Sequence, residues 1–152
     1  MIERQFSTTV AAAQDGSKID AVYRRIRRAL LESELPGPLK NLGLQYHTVD
    51  DLLCADLHGF RVRMRFDHVW LKDGFPIARL GGRLRFIHVT TEGKDGDELF
   101  QVLFDNLGNA RVGTEQGYFS SASSDPQELI SFVRKTSLAL ANAVHAKMSI
   151  VE

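Results

Sequence analysis

The spacing of apolar and polar positions divides the chain into a helical start, a strand-rich middle and a helical end. Ile19, Val22, Tyr23, Ile26, Ala29 and Leu30 fall on one stripe at helical spacing, with Arg24, Arg25 and Arg28 on the other side and Arg27 nearer the boundary. Asp15-Gly16-Ser17 reads as a turn ahead of this helix, with Ser17 as its cap. Asp20 precedes Arg24 by one helical turn, the favourable order for a surface pair. Pro36-Gly37-Pro38 predicts an end near Glu34, because the residue before a proline is pushed out of helical geometry. Residues 1–12 carry two signals. Ile2, Phe6 and Val10 are spaced for a helix, while Thr8, Thr9 and Val10 favour a strand, and a strand is the expectation adopted.

The strand-rich region runs from about Leu44 to Ser121. Its clearest element spans residues 60–71, where Phe60, Val62, Met64 and Phe66 alternate with Arg61, Arg63, Arg65 and Asp67. That period of two gives one apolar and one charged face. Lys72-Asp73-Gly74-Phe75-Pro76 predicts a turn. Strand material follows at residues 77–80 and 83–91, with Gly81-Gly82 between them suggesting a bulge or bend. Residues 98–104 and 110–113 predict a second hairpin around Asp105-Asn106-Leu107-Gly108-Asn109. A short helix over residues 98–107 is the competing reading, since Leu99, Val102, Leu103 and Leu107 also keep a helical stripe. Tyr118-Phe119 predicts a last short strand.

Asp125-Pro126-Gln127-Glu128 opens the final helix, with Asp at the cap, Pro in the first turn and Glu at the third position. Leu129, Val133, Leu140 and Val144 then line one stripe, flanked by Ile130, Phe132 and Ala143, as far as about Lys147. The expected architecture is α+β: an antiparallel sheet of five to six strands, flanked by an N-terminal amphipathic helix and a long C-terminal helix, in one domain over residues 1–152. Helix–antiparallel sheet–helix resembles, in arrangement alone, small bacterial adaptor and secretion-chaperone-like domains. With a strand at residues 1–12 it is also similar to helix-grip ligand-binding domains. Arrangement does not fix function.

Composition narrows the classes. Nineteen basic and nineteen acidic side chains cancel, so overall charge favours neither nucleic acid nor membrane and gives little repulsion between copies. No apolar stretch approaches the roughly 18 residues of a membrane span. Cys54, the single cysteine, excludes an intrachain disulfide; its apolar run Leu52-Leu53-Cys54-Ala55 reads as core, and a reducing, cytoplasmic compartment fits.

The charged strand face is the most distinctive feature. Arg61, Arg63, Arg65, Lys72, Arg79, Arg83 and Arg85 stand against Asp67 and Asp73. If the strands over residues 60–71 and 83–91 pair, arginines face arginines, which is destabilising without acidic partners. Glu92, Asp95, Asp97, Glu98 and Asp105 in the next hairpin could supply them; otherwise an external anion or acidic protein would. Arg61, Arg63, Arg65, Arg83 and Arg85 are therefore the candidate binding residues. Arg24, Arg25, Arg27 and Arg28 form a second basic patch, read as the solvated side of a packed helix, with Glu32 in reach of Arg28.

Catalytic signals are lacking. The five histidines form no HxxxH or HExxH motif. His68 and His88 share the apolar parity on neighbouring strands and could meet near Trp70, the candidate lining of a cavity. Asp50-Asp51 read as turn residues, and Gly81-Gly82 and Gly93-x-x-Gly96 lack the context of a phosphate loop. No catalytic residue, metal ligand or cofactor is assigned, and enzymatic activity stays open with the balance against it. Leu138, Leu31 and Leu35 lie off their stripes, hinting at contact with another chain.

Three functions are carried forward. The first is a non-catalytic, adaptor-type domain that binds an acidic protein surface and forms a homodimer. The second is a small-molecule-binding domain or enzyme with a cavity between sheet and C-terminal helix, lined by His68, Trp70 and His88. The third is a nucleic-acid module using the arginine face. It is disfavoured because no aromatic shares the arginine register, yet left open.

Overall fold

In the computed structural model the chain is described over residues 2–32, 35, 37–72, 78–118 and 120–151, with side chains from residue 13 onward. Two helices lead, α1 (Ile2–Glu32) and α2 (Gly37–Asn41). Seven strands follow: β1 (Gln45–Val49), β2 (Leu52–Leu57), β3 (Phe60–Leu71), β4 (Arg79–Val89), β5 (Asp95–Phe104), β6 (Asn109–Val112) and β7 (Ser120–Ser121). Helix α3 (Pro126–Lys147) closes the fold. The strands form one antiparallel sheet in strict sequence order. The architecture is α+β, as the hydrophobic pattern predicts.

The seven strands are one more than the upper end of the expected five to six, and β1 and β2 are joined by a two-residue turn. Asp50 and Asp51 adopt φ of 50° and 65°, and His58 and Gly59 adopt 52° and 79° in the β2–β3 turn. Two successive positive values are what a type I′ hairpin requires, and its twist matches the strands it joins. The Asp50-Asp51 turn agrees with the sequence.

Residues 2–12 are helix rather than the expected strand: α1 begins at Ile2 and passes without a break through Asp15-Gly16-Ser17. Tertiary contacts override the local turn signal there. Gly16 is buried, Asp15 accepts from Asn106 Nδ2 at 3.1 Å, and Asp20 Oδ1 lies 2.8 Å from His68 Nε2. These contacts fasten the middle of α1 to the sheet. Glu34 and Pro36, where the helix was expected to end, lie outside the described residues, as do residues 73–77, which hold most of the expected turn and Ile77, and Phe119. Helix α2, with Leu39 buried, was not foreseen. The last strand lies at Ser120–Ser121, just beyond the Tyr118-Phe119 pair.

Gly81-Gly82 makes neither bulge nor bend. Both stay in register, opposite Val69 and His68, and the irregularities fall between Phe86 and Val89. The glycines serve packing. A Cβ on Gly81 would come within 2.4 Å of Leu71 Cδ1, and one on Gly82 within 2.3 Å of the Phe104 ring. Residues 98–104 are strand, settling the competition with a helix, and β5 pairs with β6 as a hairpin.

One sheet face packs against both long helices. Leu53, Ala55, Leu57, Val62, Met64, Leu84, Phe86, Val102 and Phe104 form its buried surface. Ile19, Val22, Ile26 and Leu30 from α1 and Phe132, Val133, Leu140 and Val144 from α3 cover it. The α3 cap is built as its sequence predicts: Asp125 accepts from the backbone N–H groups of Gln127 and Glu128.

Candidate functional site

On the outer sheet face each candidate arginine is paired with a carboxylate, although the buried Nε of Arg63 has no hydrogen-bond partner. Asp56 accepts from Arg61 Nε at 3.0 Å and lies 2.7 Å from His47 Nε2. Asp95 accepts from Arg63 Nη1 and from Arg65 Nε, each at 2.7 Å. Asp67 takes Arg83 with two bonds, 3.0 and 2.6 Å, and Glu98 takes Arg85 Nε at 2.7 Å. The hydrogen bond from Arg61 holds the Asp56 carboxyl below its ordinary pKa, and that from Arg65 does the same for Asp95. Ladder register explains the arrangement. Arg63 faces Ile87 and Asp67 faces Arg83, so Arg65–Arg85 is the one like-charge pairing among the ladder partners of β3 and β4.

His68, Trp70 and His88 are not brought together. His68 stands opposite Gly82 and His88 opposite Val62, so the two histidines are six residues apart along the ladder, about 20 Å. His68 pairs with Asp20, His88 packs against the Phe60 ring at 5.1 Å, and Trp70 is 60% exposed. The layer between sheet and α3 is filled by Phe86, Phe104, Phe132, Leu140 and Val144, each at most 1% exposed. Cys54 is buried as expected, and burial pushes its thiol up against the pull of Arg63 and Arg61. That is the opposite of nucleophile activation. His58 and His145 share a hydrogen bond of 3.1 Å between their Nε2 atoms on the surface. Among the described residues no group of three or more His, Cys, Asp or Glu is placed to hold a metal ion.

An open groove of about 590 Å³ lies between α1 and the first turns of α3. Ala21 and Ala29 of α1 line it on one side, Pro126, Leu129 and Ile130 of α3 on the other. Arg24, Arg25 and Arg28 rim it, against one carboxylate, Glu32. Arg25 is committed: its Nη1 donates to the Ala122 carbonyl at 2.9 Å, tying α1 to the loop before α3. Arg24 and Arg28 form no ion pair with any described residue, and Glu32 does not close on Arg28 despite its helical spacing. Ile130 is 44% exposed at the groove's edge.

The sequence marked this arginine cluster but read it as solvated surface. What it lacked was the neighbour: α3 meets α1 across some hundred residues of chain, so no local period reveals the strip of Ala21, Ala29, Leu129 and Ile130 beside the guanidinium groups. Ile130, off the central stripe of its helix, was the available signal. No family model, curated protein or solved structure matches the chain. Among the described residues no helix is long and apolar enough to cross a membrane.

Proposed function

We propose that this chain is a non-catalytic, adaptor-type domain that binds another protein in the groove between α1 and α3. The bound segment presents apolar side chains beside carboxylates. One contrast carries the reading. Each candidate arginine of the sheet already holds a carboxylate, whereas Arg24 and Arg28 border an apolar strip with no acidic partner among the described residues. Guanidinium groups next to exposed apolar surface are the combination from which interfaces are built: the strip supplies burial, and the forked donors select a carboxylate. A cytoplasmic setting and a homodimeric state belong to the same proposal.

The small-molecule reading draws less support, because the inner face is occupied by phenylalanines and the three residues meant to line a cavity are dispersed. The nucleic-acid reading lacks aromatic rings in the groove on which bases could stack.

Selection of short random peptides on the immobilised domain tests the proposal. Recovered sequences should set Leu, Ile or Val next to Asp or Glu, and should lose binding when Arg24 and Arg28 are both changed to Ser. Peptides without acidic residues, or binding indifferent to those two changes, would remove the groove from consideration.

A further inference from the structure

We propose that the groove of one copy of this chain receives the tail that follows α3 in a second copy. This rests on the reading of the groove as a docking surface. The tail leaves the helix at Met148, whose backbone is extended at φ −74° and ψ 141°. Ile150 and Val151 are 90% and 91% exposed, the most exposed large apolar side chains among the described residues, and Glu152 follows them in sequence. The order is apolar, apolar, acidic. The groove offers an apolar strip bordered by two guanidinium groups that no described carboxylate occupies. Each surface carries what the other lacks.

A copy cannot make this contact with itself. The groove lies at Pro126, Leu129 and Ile130, in the first turns of α3, and the tail departs from the last. The 22 residues of α3 separate those ends by about 33 Å. The four steps from Lys147 to Val151 reach at most about 14 Å when fully extended. The contact is therefore made between copies. When two copies exchange tails reciprocally, both grooves are filled and the assembly closes as a two-fold dimer. Two apolar side chains on each side make a small interface, so the dimer is weak and concentration-dependent. A near-zero net charge does not oppose it.

Analytical ultracentrifugation of the full chain, at concentrations rising to about 1 mM, tests the proposal with two double variants. One is Arg24→Ser with Arg28→Ser; the other is Ile150→Ser with Val151→Ser. An unchanged melting temperature in each shows that the fold is intact. The wild type should move toward dimer, and each variant alone should stay monomeric. An equimolar mixture of the two keeps one of the two contacts, the intact groove of the tail variant against the intact tail of the groove variant, and should associate more weakly than the wild type. A wild type that stays monomeric throughout, association that survives in either variant alone, or a mixture that associates as strongly as the wild type would overturn the proposal. The tail variant keeps its groove. If the wild type is monomeric while that variant still takes acidic, apolar peptides, the exchange of tails fails and the docking reading stands. If those peptides are refused as well, both fail.

Discussion

Arg65 stands directly opposite Arg85 across the β3–β4 ladder, and each guanidinium is taken by a different carboxylate, Asp95 for Arg65 and Glu98 for Arg85, both at 2.7 Å. Like charges across a ladder are otherwise destabilising, so the acids of β5 serve the arginines of β3 and β4 before any partner could. Asp95→Asn removes the charge that Arg63 and Arg65 share. The expected loss is about 1–3 kcal/mol, read from the urea midpoint, because Arg65 is open to solvent while the Arg63 side chain is only 15% exposed. A stabilised variant would show that the pairing is not needed.

The same carboxylates set the response to acid. Asp56 and Asp95 are held below the ordinary carboxylate range, chiefly by hydrogen bonds from Arg61 and Arg65. The folded state therefore binds fewer protons than the unfolded one. Their contribution is complete above the unfolded pKa of about 4 and is lost as pH falls through the lowered folded value. Urea midpoints between pH 6 and 2 should fall less steeply in the Asp56→Asn, Asp95→Asn double variant. An acid limb as steep as that of the wild type would refute the assignment.

At the alkaline end the relevant group is Tyr46, whose hydroxyl shares a 2.7 Å bond with Ser137 Oγ and whose pKa is raised by burial. The unfolded phenol ionises near pH 10 while the folded one keeps its proton. Its contribution is whole below that pH and declines as pH rises above it. Tyr46→Phe should cost about 1 kcal/mol at pH 7 through the lost bond, and should flatten the decline in stability between pH 9 and 11. Parallel curves for the two proteins in that range would contradict the buried hydroxyl.

Gly82 and Gly37 give a paired test of the sheet. A Cβ on Gly82 would sit 2.3 Å from the Phe104 ring, whereas one on Gly37 would meet nothing within 4 Å. Gly82→Ala should destabilise by about 1–3 kcal/mol by overpacking, with Gly37→Ala close to neutral. Similar effects at both positions would show that ring contact is not what requires glycine.

Asp105 is the buried anchor of the β5–β6 turn. It is 2% exposed and accepts from Arg79 Nη1, the backbone N–H groups of Leu107 and Asn109, and Asn109 Nδ2. Asp105→Ala strands these donors and should cost about 3 kcal/mol, measurable by urea unfolding. A loss below about 1 kcal/mol would mean that water replaces the carboxylate there.

How far the fold could be read from sequence depended on whether a signal was local. The alternation from Phe60 to Phe66 and the Asp125-Pro126-Gln127-Glu128 cap act within a few residues, and both strand and helix lie where they imply. Asp15-Gly16-Ser17 is a turn signal of the same kind, yet contacts to His68 and Asn106, far away in the chain, keep it helical. Gly81-Gly82 is likewise explained by Leu71 and Phe104 rather than by its own backbone. The candidate site is the extreme case. The arginines of α1 were visible, but their meaning depends on which ones find carboxylates and which lie beside Leu129 and Ile130, and only packing decides that.

Comparing two pairs of arginines tests the central claim most directly. Affinity for an acidic, apolar peptide selected on the wild-type domain is measured by fluorescence anisotropy for Arg24→Ser with Arg28→Ser, and for Arg61→Ser with Arg65→Ser. The groove pair should lose at least about tenfold, equivalent to about 1.4 kcal/mol, and the sheet pair should bind as the wild type does. Loss of binding in the sheet pair with the groove pair unaffected would place the docking surface on the outer face of the sheet and contradict this account.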